Sequence, residues 1–232
     1  MAALLPADCL LCREPLPFRQ EGSVCHGCWG GLDWTPGLLF QPGPAPVVFW
    51  GADYRASFRH LIHALKYRSV DYLAAPLGRR LADRLEPLLP SLPPVGCVVP
   101  VPAHPWRRLR RGYNQAALLA AAVAGRIDRP LQALALVRRR QGRAQTGRSR
   151  AERLAALQGA FRPGRRGPAI AGSIVLLVDD VMTTGATLQA CARALRGCGA
   201  AGVIGCVLAR TMTDAVRPAD RAPVRPAQRA VQ

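Results

Sequence analysis

The chain has 232 residues, 32 of them Lys or Arg against 14 Asp or Glu, for a formal net charge of +18. That length holds one good core plus a small accessory module, and the charge favours phosphate-bearing partners over neutral ones. No apolar run approaches the roughly 18–20 residues of a membrane span, which excludes a helical membrane protein. Every basic residue but one is arginine; the exception is Lys66. The opening Met1–Leu5 has no basic flank and is too short for an export signal. A cytoplasmic location with reduced cysteines is therefore expected.

In chain order, Cys9-x-x-Cys12 and Cys25-x-x-Cys28 come first, separated by twelve residues. Each pair forms a knuckle whose thiolates reach one ion, and two knuckles complete a closed tetrahedral structural zinc site. Redox dithiols or disulfides are the competing reading. Trp34–Pro46, with Pro36-Gly37 and Pro42-Gly43-Pro44, reads as a linker and a domain boundary. Val47–Tyr54 reads as a strand. Phe58, Leu61, Ile62 and Leu65 then make a helical stripe closed by Lys66 and Tyr67. His60 and His63 lie one turn apart on this helix but lack further ligands, so a solvated face is expected. A second helix is expected over Pro76–Leu85.

Cys97–Pro102 reads as a buried strand whose prolines fall where it leaves the ladder. A basic loop follows through His104, Trp106, Arg107, Arg108, Arg110, Arg111, Tyr113, Asn114 and Gln115. The apolar segment Ala116–Ala124 is then a helix buried against the sheet. Downstream, Arg138–Arg148 is strongly basic and reads as an exposed loop.

Ile174–Val178 is a run of five apolar residues, the mark of a strand buried on both faces of a parallel sheet. Asp179 and Asp180 follow at its carboxyl end, where ligands of open α/β sheets bind. Val181, Met182, Thr183, Thr184, Gly185, Ala186 and Thr187 lead into a helix expected to run from Ala186 to about Gly197. Unpaired N–H groups and the positive dipole end there suit a phosphate. Leu188, Cys191, Leu195 and Cys198 fall at helical spacing as core. Val203–Leu208 is the next strand, and the Arg/Pro-rich tail after 210 is expected to be disordered.

The Asp179–Thr187 stretch resembles the phosphoribosyl diphosphate (PRPP) motif of type I phosphoribosyltransferases. In that family the acidic pair holds the ribose hydroxyls and the loop cradles the 5′-phosphate. Val98–Gln115, Lys66-Tyr67 and the four N-terminal cysteines further resemble the ComF family of competence-associated phosphoribosyltransferase-like proteins, over roughly residues 9–210. The basic segment matches relatives at Gln145, Arg153 and Phe161 but departs at Arg148 and Ala156; the resemblance implies a mobile loop there that closes over the reacting centre, as the alternative to an exposed basic loop.

The resemblance implies a zinc module with linker over 1–46 and a phosphoribosyltransferase-like α/β domain over 47–210, ahead of the tail 211–232. It implies Asp179 and Asp180 as catalytic or ribose-binding residues and 181–187 as the phosphate loop. Pro102, Ala103, His104, Arg107 and Arg108 would lie on the diphosphate side. Lys66, Trp106, Arg110, Arg111, Tyr113, Asn114 and Gln115 belong to the signature region and are candidate DNA contacts. Structural zinc, magnesium accompanying PRPP, single-stranded DNA and proteins of the competence machinery are the implied cofactors and partners. The implied role is in DNA uptake and natural transformation. Two forms are open: a transferase using PRPP, or a non-catalytic PRPP sensor or single-strand-binding factor.

Overall fold

The computed structural model describes residues 8–16, 23–67, 70–139 and 159–211. The basic segment with Gln145, Arg148, Arg153 and Ala156, and the tail from 212, lie outside these residues. In chain order the elements are α1 (His26–Gly30), β1 (Gly37–Phe40), β2 (Val47–Asp53), α2 (Ala56–Tyr67), α3 (Ala74–Leu85) and β3 (Val95–Pro100). They continue with α4 (Pro105–Arg111), α5 (Gln115–Arg126), β4 (Leu136–Arg138), β5 (Phe161–Pro163), β6 (Ile174–Met182), α6 (Ala186–Gly197) and β7 (Gly202–Arg210).

Five strands form one sheet in the order β1-β2-β7-β6-β3. The pairs β2–β7, β7–β6 and β6–β3 are parallel, and β1 adds to β2 antiparallel as an edge. Period-two alternation divides the side chains between two cores. Leu176, Val178, Ile204, Cys206 and Leu208 pack with the apolar residues of α2, α3 and α5 on one face. Val175, Leu177, Val203 and Val207 pack with α6, β4 and β5 on the other. Both sides of β6 are thereby dry, which is why its sequence reads as a continuous apolar run. Removing one of its fully buried leucines, as in Leu176→Ala, would cost about 2–5 kcal/mol.

Helix α5, which follows β3 and α4, lies on one face, and α6, which follows β6, on the other. The chain parts in opposite directions at the carboxyl ends of these neighbouring strands, opening a crevice there. β4 and β5 form a separate antiparallel pair on the α6 side.

Three expectations are corrected. Strand β6 does not stop at Val178; it pairs with β7 as far as Met182↔Arg210, carrying both aspartates within the strand. The stretch 34–46, read as a linker, supplies edge strand β1, paired from Gly37↔Trp50 to Phe40↔Val47. The basic loop 104–115 contains helix α4, with Pro105 at its first position and Gly112 closing it at φ 82°.

The N-terminal residues share the main core. Cys9, Leu16, Val24, Trp29 and Leu32 are buried in the same cluster as Leu77 and Leu81 of α3. Arg80 and Arg84, one turn apart on α3, lay their guanidinium groups over the rings of Trp29 and Trp34 at 4.1 and 4.0 Å. Such contacts desolvate the cation partly and hold the aromatic face. Among the described residues no helix is long and apolar enough to cross a membrane.

Candidate functional site

The ligand atoms of Cys9, Cys12, Cys25 and Cys28 all lie within 4.8 Å of one another. All four are free cysteines, with Cys12 Sγ 3.7 Å from Cys25 Sγ, far from a bonded disulfide. Backbone geometry builds the knuckles: Cys25 N–H donates to Cys9 Sγ and Cys28 N–H to Cys25 Sγ, each at 3.3 Å. Burial opposes ionisation of the Cys9 thiol, but the backbone N–H groups of Cys25, Cys12 and Leu11 more than offset it and bring it to about 6. Burial and the neighbouring sulfurs push Cys28 up to about 12. Four cysteines so placed are positioned to hold a metal ion. Among the described residues no other group of three or more such ligands occurs. His60 and His63 are both exposed, as the sequence led one to expect.

At the carboxyl end of β6, Asp179, Val181, Met182, Thr183, Thr184, Gly185, Ala186, Thr187 and Leu188 line a concavity of ≈ 120 Å³. Gly185 stands at φ 75°, a left-handed conformation that glycine adopts without penalty, and it is the N-cap of α6. A glycine has no side chain with which to cap a helix, so the first-turn N–H groups stay available to an acceptor; Ala186 N–H has only a 3.5 Å contact with Thr184 Oγ1. Thr183 and Thr184 are exposed and Thr187 is half-buried. A helix start of this kind has the chemistry to accept an anion.

The two aspartates separate by strand alternation. Asp180 is buried and meets α2, where Lys66 Nζ lies 3.0 Å from its Oδ2. Asp179 lines the concavity and accepts the Asp180 backbone N–H at 2.8 Å. Burial first, then the Asp180 carboxylate, push the Asp179 carboxyl up to about 7, against the pull of the Asp180 N–H, Lys66 and Arg138.

Arg138, the last residue of β4, faces this end of the sheet. Burial and the like charge of Arg107 lower its pKa, while Cys191 and Asp179 support its charge. Its guanidinium lies 5.3 Å from the Phe161 ring centroid across the β4–β5 pair. His104 faces the same cations: burial, Arg138 and Arg107 lower its pKa. Arg138 thus places positive charge near both His104 and Asp179, with Arg107 a further cation near Arg138 and His104, whose own lowered pKa favours its neutral form. The sequence marks Arg138 only as the first residue of the basic run 138–148. Forty-one positions separate it from Asp179, and no spacing signal links them.

The signature residues divide into two groups. Asn114 caps α5, its Oδ1 accepting Ala116 N–H at 3.2 Å, while its Nδ2 donates to the Val101 carbonyl at 3.0 Å. Tyr113 donates its hydroxyl to the Leu65 carbonyl, and Gln115 is buried. Tyr113 and Asn114 thereby tie the segment after β3 to α2 and α5. Arg107, Arg108 and Arg110 are exposed on α4 with Trp106, which keeps 66 % of its surface in solvent. Arg111 lies over the Tyr67 ring at 4.8 Å. Pro102 and Ala103, half-buried, lead from β3 into α4.

Residues 113–225 match the family described as "Phosphoribosyl transferase domain". The chain is 31% identical over 228 residues to a Salmonella typhi protein named "DNA utilization protein YhgH", covering 90% of this chain and 99% of that one. It is 32% identical over 215 residues to a Haemophilus influenzae protein named "Competence protein F", covering 82% of this chain and 91% of that one. The chain belongs to the ComF family. It carries a phosphoribosyltransferase-type α/β domain together with a four-cysteine cluster near its N-terminus. Among solved structures, the glutamine PRPP amidotransferase of B. subtilis aligns with a TM-score of 0.40 and 24% identity, over 60% of this chain and 26% of that chain.

Proposed function

We propose that this ComF-family chain binds PRPP with magnesium at the carboxyl end of β6 and serves the uptake and use of DNA in the cytoplasm. One observation carries the reading: an uncapped helix N-terminus and a carboxylate share one small concavity, with cations on its flank. The first-turn N–H groups of α6 and the threonine hydroxyls match a 5′-phosphate. The acidic end of β6 matches the ribose hydroxyls. Arg107 and Arg138 match a diphosphate, with neutral His104 beside them as a hydrogen-bonding group, and fixed cations there stabilise charge that grows as the group departs. Magnesium would supply further neutralisation of that diphosphate. The names of the relatives, one for DNA utilisation and one for competence, support the cellular role.

Structural zinc fits the four thiolates best, since a closed set of sulfur ligands in tetrahedral reach is its preferred environment. Elemental analysis of the purified chain should find about one zinc per chain, and a metal-free folded chain would overturn this assignment.

The test of the site is calorimetric titration with magnesium PRPP. Wild type should bind and Asp179→Asn should lose binding; unchanged affinity in the variant would remove the site assignment. Pyrophosphate release across a panel of amine and nucleobase acceptors then separates a transferase from a sensor. A ligand that binds and is never turned over favours the sensor.

A second reading is favoured by α4, where Trp106 and three exposed arginines face solvent together. Cations tracking phosphates beside a stacking ring suit single-stranded DNA. Binding should weaken steeply as salt rises, and a flat salt response would count against it.

A further inference from the structure

Asp179 and Asp180 are adjacent in the chain but face different elements. Asp179 lines the concavity beneath α6, within the field of Arg138. Asp180 faces α2, where its Oδ2 lies 3.0 Å from Lys66 Nζ; the two side chains keep 8% and 22% of their surface exposed. A carboxylate so far from water needs a partner, and removing that partner strands a buried charge.

The partner is also singular in the sequence. Every other basic position of the chain holds arginine. An ammonium is a compact point charge, whereas a guanidinium is a planar fork with five donors. Lys66 is the penultimate residue of α2, and beside it Arg111 already stacks its guanidinium on the exposed Tyr67. A second fork entering from Lys66 would have to present five donors in a space that satisfies one ammonium.

We propose that Lys66 is a positioning residue: it holds Asp180 as an internal counter-ion, so that Asp179 alone receives the vicinal hydroxyls of the phosphoribosyl ligand. This rests on the reading of the concavity as a phosphoribosyl site. A single carboxylate has two oxygens and can accept from both hydroxyls of a cis-diol. Turning Asp180 to the ligand would break an ion pair that has little access to water on either side. The pair instead fixes the end of β6, and with it the direction in which Asp179 points.

The test is a charge-pair rescue on the full chain with its metal retained, reading magnesium PRPP affinity by calorimetry and melting temperature in parallel. Lys66→Met should weaken binding about tenfold or more and lower the melting temperature, because Asp180 is left buried and unpaired. Adding Asp180→Asn removes the stranded charge. That double variant should recover the melting temperature and bring affinity back to within about threefold of wild type. Recovery of melting temperature without recovery of affinity would place Asp180 on the ligand and overturn the proposal. Undiminished affinity in Lys66→Met alone would overturn it as well. Absence of binding in the wild type would overturn the reading of the concavity and the proposal together, whereas a binding wild type with an unrescued double variant overturns the proposal alone.

Discussion

Gln189 grips Ala45 with both ends of its amide: Ala45 N–H donates to Oε1 at 3.1 Å, and Nε2 donates to the Ala45 carbonyl at 3.0 Å. The two residues are 144 positions apart. The clamp ties the turn between β1 and β2 to the first turn of α6, beside the concavity at the end of β6. Gln41 reinforces it, its Nε2 donating to the same carbonyl at 3.3 Å.

Gln189→Ala removes both bonds and leaves the N–H of a fully buried residue without its acceptor. The expected cost is about 1–3 kcal/mol. A melting temperature several degrees lower, with weaker magnesium PRPP binding, is the expected result. An unchanged melting temperature would show that the turn is held by other contacts.

Metal removal should act on the whole domain. Cys9, Val24 and Trp29 lie in the same cluster as α2, α3 and α5, and Ser23 Oγ meets the Tyr72 hydroxyl at 2.8 Å. Chelation should therefore lower the single melting transition of the chain and not merely loosen its first thirty residues. The measurement is a thermal melt with and without a strong chelator; an unchanged main transition would contradict the shared core.

Proton linkage at Asp179 gives a prediction with opposite signs for folding and for ligand. Its carboxyl sits near 7 in the folded chain, against about 3.9 for an unfolded aspartate. Between those values the folded chain holds a proton that the unfolded chain has released, so this group's contribution to stability falls as pH rises through the window. The melting temperature of wild type, measured against that of Asp179→Asn, should rise as pH is lowered from 8 to 6. Ribose hydroxyls donate best to an ionised carboxylate, so PRPP affinity should move the other way and be higher at pH 8. A wild-type profile parallel to that of the variant would exclude Asp179 as the titrating group.

Arg138 should matter for the diphosphate end of the ligand. Arg138→Ala is expected to weaken magnesium PRPP by about 2 kcal/mol or more, as for a charge-assisted contact in a partly desolvated site. Affinity for ribose 5-phosphate, which lacks the diphosphate, should barely change. An equal loss for both ligands would move Arg138 away from the diphosphate and make it a support of the concavity.

The parts legible from sequence were those encoded in local spacing. The two Cys-x-x-Cys pairs define their cluster because each knuckle is built within four residues. The helix over Ala186–Gly197 follows from Gly185 at its start and the apolar spacing of Leu188, Cys191 and Leu195. What sequence hid depends on partners elsewhere in the chain. The apolar run ends at Val178, but backbone pairing with β7 continues to Met182. The opposed directions of Asp179 and Asp180 follow only from that continuation. Helix α4 carries arginines where an amphipathic stripe would have announced it, and it is set instead by Pro105 and the His104 cap. Strand β1 is proline-flanked and partly exposed, and it exists because β2 offers it an edge.

The lone lysine gives the molecule an unusual chemical economy. Apart from the α-amine at its start, Lys66 is the one primary amine in a chain crowded with guanidinium groups. Acylating reagents ignore guanidinium under conditions that modify amines. A single acylated side chain would therefore report on the ion pair between Lys66 and Asp180. The rate of its modification, followed by mass, would measure how often that pair opens and whether a bound phosphoribosyl ligand keeps it shut.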